Sequence, residues 1–284
     1  MQRLGIVPHP TRPLARDLTK RVLAWAELHH VTVVVPEPEA ATLGVDVTTV
    51  KSAAFAAGLD CAVSLGGDGT MLRTVDLVSR AGVPVLGVNA GQLGYLTEVE
   101  PDALESALDA VANGAYTCVE RMTLRVAVRS DGPAAGEWCA LNEAVLEKSQ
   151  PGRMVRVDVA IDDVPFTTYA ADGVIVATPT GSTAYAFSAG GPIVDPALAC
   201  LLLTPVSPHM LFNRSLVLPA AQTLELSVGD ERAPSLILDG RVLGQLGAGD
   251  SVRCSAASQP ARLVTFGPRD FHQILKAKFG LADR

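Results

Sequence analysis

Long apolar runs are missing from this 284-residue sequence, and none approaches the ~18 residues that a membrane-spanning helix requires. No run of Lys or Arg occurs either, and the formal charge is −7. A general nucleic-acid binder needs basic stripes to neutralise phosphates, so that class is excluded. A small anion held by local groups is not. Cys61, Cys118, Cys139, Cys200 and Cys254 are odd in number, scattered and without a CxxC pair. They read as reduced thiols of an intracellular protein, not as a disulfide framework or a structural zinc site. The five histidines have no metal-ligand spacing. Absent as well are G-x-x-x-x-G-K-[ST], G-x-G-x-x-G after the first strand, the H-R-D set of protein kinases and the G-x-S-x-G turn of esterases. The strand-like start at Arg3 leaves no signal peptide expected, and the cytoplasm is the expected location.

What is present is apolar: 48% hydrophobic residues against 19% charged, in a chain long enough for two cores. Its organising stretch is Asp60 to Arg73. Cys61 to Leu65 form a short apolar run of the doubly covered type, and from Thr70 a helical stripe of Met71, Val75 and Val78 begins. Between them lies Gly66-Gly67-Asp68-Gly69. Bare glycine backbone beside a helix N-terminus presents amides to an anion, most naturally a phosphate chain. A carboxylate in such a nest repels its guest unless it holds a metal or takes a proton from a hydroxyl. A tight turn with Asp68 as helix N-cap is the alternative.

Strand and helix signals alternate over the first ~115 residues, as the βαβ periodicity implies. Strands are expected at Arg3–Val7, Val31–Val35 and Pro84–Val88, and helices at Leu14–His29, Val47–Ala57 and Leu104–Val111, with a loop at Pro36–Gly44. That order implies a parallel sheet with helices on both faces and ligands at the carboxyl ends of the strands. Beyond a boundary near residue 118 the period becomes two, in Arg121–Arg129, Val155–Ile161 and Leu224–Val228, which marks an antiparallel β-rich half. Arg262–Phe266 reads as a strand, and Phe271–Phe279 as a short helix packing back on the first domain. The expected domains are therefore 1–118 joined by 262–284, and 119–261.

Two stretches of the β-rich half exceed what a plain sandwich needs. Asn142-Glu143 sits among apolar strand residues; an amide can read an adenine edge and a carboxylate can accept from ribose hydroxyls, although a solvated strand end reads the same way. Asp172 to Pro192 is a strand leading into a loop dense in Thr, Ser and Gly. Hydroxyls and bare backbone suit a polar ligand, and Tyr185 offers a face for a base.

Gly66-Gly67-Asp68-Gly69-Thr70, Asn142-Glu143, Thr178-Pro179-Thr180-Gly181-Ser182-Thr183-Ala184-Tyr185, Gly190-Gly191-Pro192, Pro205-Val206-Ser207-Pro208-His209 and Asp239-Gly240 together resemble the NAD kinases, over nearly the whole chain. A GGDG turn alone is shared with diacylglycerol, sphingosine and phosphofructo-kinases; the TPTGSTAY loop in this order is the specific element. The resemblance implies an α/β Rossmann-like N-terminal domain of the phosphofructokinase and diacylglycerol-kinase type, and a β-rich, sandwich-like, NAD-binding C-terminal domain. It implies transfer of a phosphoryl group from ATP or polyphosphate to the 2′-hydroxyl of the adenosine ribose of NAD, with Mg²⁺ or another divalent metal bridging the donor phosphates. A homodimer or homotetramer is implied too. Residue by residue, it makes Asp68 the proton acceptor, with Gly69 in the same contact and Gly66, Gly67, Gly69 and Thr70 around the donor phosphates. Arg73 matches a basic position near the phosphates, Asn142 and Glu143 the adenine and ribose contacts, and Asp172 an acid at the nicotinamide end. Arg153 matches a basic position of the site, and Thr183, Ala184, Tyr185 and Ser188 the loop around adenosine. Three positions depart from the family pattern: Gln92 in the second glycine loop, Asn89-Ala90-Gly91-Gln92-Leu93-Gly94-Tyr95 after the strand Pro84–Val88, Ala170 before the Asp-Gly of 172–173, and Arg241 after that of 239–240. The rival expectations are a lipid kinase, which needs an apolar acceptor groove, and a non-catalytic dinucleotide-binding protein.

Overall fold

A computed structural model describes residues 1–281 of the chain except 42, 92, 93, 151, 231 and 269, so the Gln92 departure lies outside the described residues. They form two units, Met1–Glu120 with Ala261–Arg284, and Arg121–Pro260.

The first unit opens with β1 (Arg3–Pro8), α1 (Pro13–Leu28), β2 (Thr32–Pro36), α2 (Glu37–Ala40) and β3 (Thr49–Val50). It continues with β4 (Cys61–Gly66), α3 (Asp68–Val78), β5 (Val85–Asn89), α4 (Leu104–Ala112) and β6 (Thr117–Arg121). Pro13 stands in the first turn of α1, where its missing N–H costs nothing, and Ala15, Leu18, Val22, Trp25 and Ala26 make the buried stripe. β4 is buried at every position, which explains its unbroken apolar lettering.

Two expectations for this unit fail. Val47–Ala57 is not a helix: Thr49 and Val50 form a strand parallel to β2, and a 3₁₀ turn follows at Ser52–Ala54. The β-branched run Val47-Thr48-Thr49-Val50 restricts side-chain rotation in a helix and suits a sheet edge. Phe55 of the same segment is fully buried, where a Cβ on Gly5 would come within 2.6 Å of its ring. Pro36–Gly44, expected as a loop, contains α2.

The second unit comprises β7 (Leu124–Arg129), β8 (Gly136–Ala140), β9 (Glu143–Lys148), β10 (Val155–Ile161), β11 (Val164–Ala171) and β12 (Gly173–Ala177). After α5 (Tyr185–Ser188) come β13 (Cys200–Val206), β14 (Leu216–Pro219), β15 (Leu224–Val228), β16 (Pro234–Leu238), β17 (Arg241–Gln245) and β18 (Ser251–Ala256). The sheets are ordered β11-β10-β15-β18-β7-β8 and β14-β13-β12-β9-β16-β17, with antiparallel pairing throughout. The alternation expected over Arg121–Arg129 is broken, because Arg121 ends β6 and β7 begins only at Leu124.

Strand parity decides which residues face the shared core. Ala144, Leu146, Val174 and Val176 join Val126, Val157 and Leu226 between the sheets. Val145, Ile175 and Ala177, of opposite parity, pack against Ala186 and Val194 of the 178–194 loop. That loop therefore covers the outer face of the second sheet. Glu143 and Glu147 share the parity of Val145, so β9 presents its carboxylates beneath it.

The chain then returns to the first unit with β19 (Ala261–Thr265) and α6 (Phe271–Phe279). Its sheet is ordered β3-β2-β1-β4-β5-β19-β6, so β19 lies between β5 and β6. β1 to β5 and β19 are joined by parallel pairings.

Candidate active site

In the first unit the chain leaves β4 at its carboxyl end and starts α3 at once. Gly67, extended, is the residue before the helix, and Asp68 is the first helical residue. Asp68 does not cap its own helix. Its carboxylate instead accepts from the backbone N–H of Tyr95 (2.9 Å) and Leu96 (3.0 Å), on the second glycine loop. Gly94 makes that approach possible, since a Cβ there would stand 2.1 Å from Asp68 Oδ1. Two charge-assisted donors thus fix the carboxylate's orientation.

The glycines divide by task. A Cβ on Gly66 would lie 2.1 Å from Thr70 Oγ1, so this buried glycine serves the closeness of strand and helix, and it does not border the cavity described next. Gly69 has open space where its side chain would be. The amides of Asp68 and Gly69 lie in the first turn of α3, have no acceptor among the described residues and are open to a ligand. A cavity of about 530 Å³ is bordered by Gly67, Asp68, Gly69, Thr70 and Arg73, and by the loop after β1. Arg73 is committed elsewhere, pairing with Glu39 at 2.7 Å and Asp76 at 3.2 Å.

In the second unit three consecutive amides, those of Leu141, Asn142 and Glu143, donate to the Asp239 carboxylate at 2.7, 2.8 and 3.0 Å. Asp239 and Gly240 form the two-residue turn between β16 and β17 with φ of +48° and +79°, the conformation that Asp-Gly adopts in a hairpin. The 178–184 loop is laid over the same backbone. Thr178 N–H donates to Asn142 O at 2.8 Å, Thr178 Oγ1 to Leu141 O, and a Cβ on Gly181 would sit 2.2 Å from Asn142 O. Ser182, buried, donates to Val194 O and accepts from Val194 N–H, which makes it a brace of the loop.

These contacts assemble most of the expected residues of this half. Asn142 keeps its side-chain amide without a partner among the described residues. Glu143 is buried with Oε2 unpartnered. Burial, then the Asp239 carboxylate, push its pKa up to about 8, against the lowering effect of the Tyr185 N–H. Thr183 Oγ1 donates to Thr180 O, Ala184 N–H to Gly181 O, and Tyr185 OH to Glu147 at 2.8 Å. Ser188 ends α5, exposed. Asp172 pairs with Lys148 at 2.7 Å. Arg153 stands apart from the Asn142 and Tyr185 group, in a smaller cavity of about 120 Å³ that it shares with Lys148 and Arg232.

The model of the ATP-NAD kinase N-terminal domain matches residues 4–116, and that of the ATP-NAD kinase C-terminal domain matches residues 141–266. The chain belongs to the NAD kinase family. Among its relatives, the NAD kinase of Heliobacterium modesticaldum is 41% identical over 279 residues, covering 98% of each chain. That of Moorella thermoacetica is 41% identical over 282 residues, covering 98% of this chain and 89% of the other. Of solved structures, yeast NADH kinase complexed with NADH superposes with a TM-score of 0.90 at 26% identity, over 100% of this chain and 89% of the other. An NAD kinase from Archaeoglobus fulgidus in complex with ATP gives 0.73 at 27% identity, over 99% and 98%. The α/β unit followed by a β-rich unit is the architecture of this kinase family.

For a NAD kinase, the long-range contacts of several structural participants had no signal in the sequence. Asp239 acts on amides 96 to 98 positions away, and Lys148 is named only by its pairing with Asp172. Gly94, Tyr95 and Leu96 matter through Asp68. Of the departures, Arg241 places its guanidinium 5.5 Å from the centre of the Trp138 ring, and Ala170 accepts from His209 N–H at 2.8 Å.

Proposed function

We propose that the chain transfers the terminal phosphoryl group of ATP or polyphosphate to the 2′-hydroxyl of the adenosine ribose of NAD, giving NADP. Asp68 accepts the hydroxyl proton as the oxygen attacks phosphorus, and the bond to the leaving group breaks, releasing ADP from ATP or a chain one phosphate shorter from polyphosphate. The observation that carries this is the Asp68 carboxylate, oriented by the Tyr95 and Leu96 amides on the wall of a cavity with open glycine amides. Phosphoryl transfer asks a protein mainly for alignment and neutralised charge, and this unit offers both.

The β-rich unit holds the dinucleotide in this reading. Asn142 reads the adenine, Glu143 the ribose, Thr183, Ala184, Tyr185 and Ser188 wrap the adenosine, Asp172 serves the nicotinamide end, and Arg153 is a basic position of the site. The unpartnered Oε2 of Glu143 supports its role, because a buried polar atom without a partner is costly unless a ligand completes it; the half-buried Asn142 keeps its side-chain amide open to a guest among the described residues. A divalent metal neutralises the charge of the donor phosphates when bound. Among the described residues no three His, Cys, Asp or Glu side chains stand together as a cage. The described residues around the cavity offer the metal no cage of their own. Cytoplasmic location and a homodimeric or homotetrameric state belong to the same proposal.

A lipid kinase would need an apolar acceptor groove, and the Thr-, Ser- and Gly-rich loop at 178–191 is not one. Incubation with NAD, Mg²⁺ and ATP or polyphosphate is expected to yield NADP. Absence of NADP with either donor refutes the reading.

A further inference from the structure

Arg12 enters the cavity from the loop after β1 and lies against both glycine loops. Its Nη1 donates to Ala90 O at 3.1 Å, and a Cβ on Gly91 would fall 1.9 Å from that nitrogen. A Cβ on Gly67 would be 3.6 Å away. Gly91 is thus bare because the guanidinium occupies the place of a side chain. Two cations border the cavity, Arg12 and Arg73, along with His9 and the carboxylates of Glu39 and Asp68. Arg73 is neutralised by Glu39 and Asp76, and Asp68 is turned to the Tyr95 and Leu96 amides. Arg12 has no carboxylate partner among the described residues, and its half-buried guanidinium spends Nη1 on a carbonyl and keeps further N–H groups for a guest.

We propose that Arg12 binds the phosphate chain of the phosphoryl donor and holds it against the amides of Asp68 and Gly69. The proposal rests on the kinase reading above and adds a donor-binding residue that no motif named. A planar guanidinium with parallel N–H donors matches phosphate oxygens, and it is the charge that offsets Asp68 beside the same anion. Fixed by the Ala90 carbonyl, the guanidinium loses little freedom when the donor arrives.

The test is binding of MgATP to the protein without NAD, measured by calorimetry, with inorganic tripolyphosphate as competitor. Arg12→Ala is expected to weaken MgATP on the order of 10- to 100-fold while the Kd for NAD and the Tm stay near wild type. Arg12→Lys keeps the charge without the fork and recovers part of the loss. Gly91→Ala, which displaces the guanidinium and leaves its charge in the chain, gives the same selective weakening. Tripolyphosphate displaces MgATP from the wild type if the contact is to the phosphates; failure to displace it overturns the proposal. So does unchanged MgATP affinity in Arg12→Ala or, should that variant not fold, in both Arg12→Lys and Gly91→Ala. Loss of Tm and of NAD affinity with MgATP affinity intact makes Arg12 a brace between loops and also overturns it. A wild type that binds MgATP through Arg12 yet makes no NADP refutes the activity and leaves this assignment standing.

Discussion

Replacing Glu143 by Gln is expected to change how stability depends on pH. Glu143 has an ordinary pKa of 4.5 and is pushed up to about 8 in the folded chain, first by burial and then by Asp239. An unfolded chain therefore releases this proton at lower pH than the folded one. The favourable contribution is complete below about pH 4.5, shrinks as pH rises towards 8, and is constant above. At ~1.4 kcal/mol per pKa unit the ceiling is on the order of 5 kcal/mol. Urea unfolding at pH 5, 6.5 and 8 reads it directly. Wild type should lose stability relative to Glu143→Gln over this range, by an amount of kcal/mol order, because the amide carries no titration. NAD should flatten the wild-type curve, since a ribose hydroxyl donating to the unpartnered Oε2 favours the ionised form. Parallel pH curves for the two proteins refute the assignment of a buried, proton-holding Glu143.

Asp68→Asn should lower turnover by roughly 10²–10⁴ and spare NAD affinity. It should also cost about 1 kcal/mol of stability, because an amide NH₂ cannot accept from one of the Tyr95 and Leu96 amides; near-normal kcat would remove Asp68 from the role of base. Gly94→Ala, whose methyl would meet Asp68 Oδ1 at 2.1 Å, should reduce kcat more than ~10-fold with NAD binding intact, measured by titration beside steady-state kinetics. Asp239→Ala leaves three amides without their acceptor and should lower stability by about 2 kcal/mol or more and weaken NAD, read by Tm and by NAD titration. An unchanged NAD Kd there would separate the Asn142-Glu143 backbone from dinucleotide binding.

The local part of this design was legible in the letters. Cys61 to Val78 read as strand, turn and helix because burial on both faces and a helical stripe both write themselves into short segments. The excess of small polar residues at 178–191 marked a loop with a purpose beyond turning the chain, and Ser182 and Gly181 show part of that excess going into packing. Interactions across sequence were not legible. Nothing near Arg12 announces Gly91, and nothing near Asp239 announces Leu141, since the sheet order that joins them is a property of the folded chain. The helix expected at 47–57 failed where apolar spacing was read without weighing the β-branched run against it.

The seat of β19 bears on the order in which the molecule can be made. The first unit's sheet has a vacancy between β5 and β6 until residues 261–265 have left the ribosome, by which time the second unit is fully synthesised. The contiguous β-rich segment can complete its hydrogen bonding early. The first unit must wait with two strands separated, so a nascent chain stopped before Ala261 would expose sheet edges that invite aggregation.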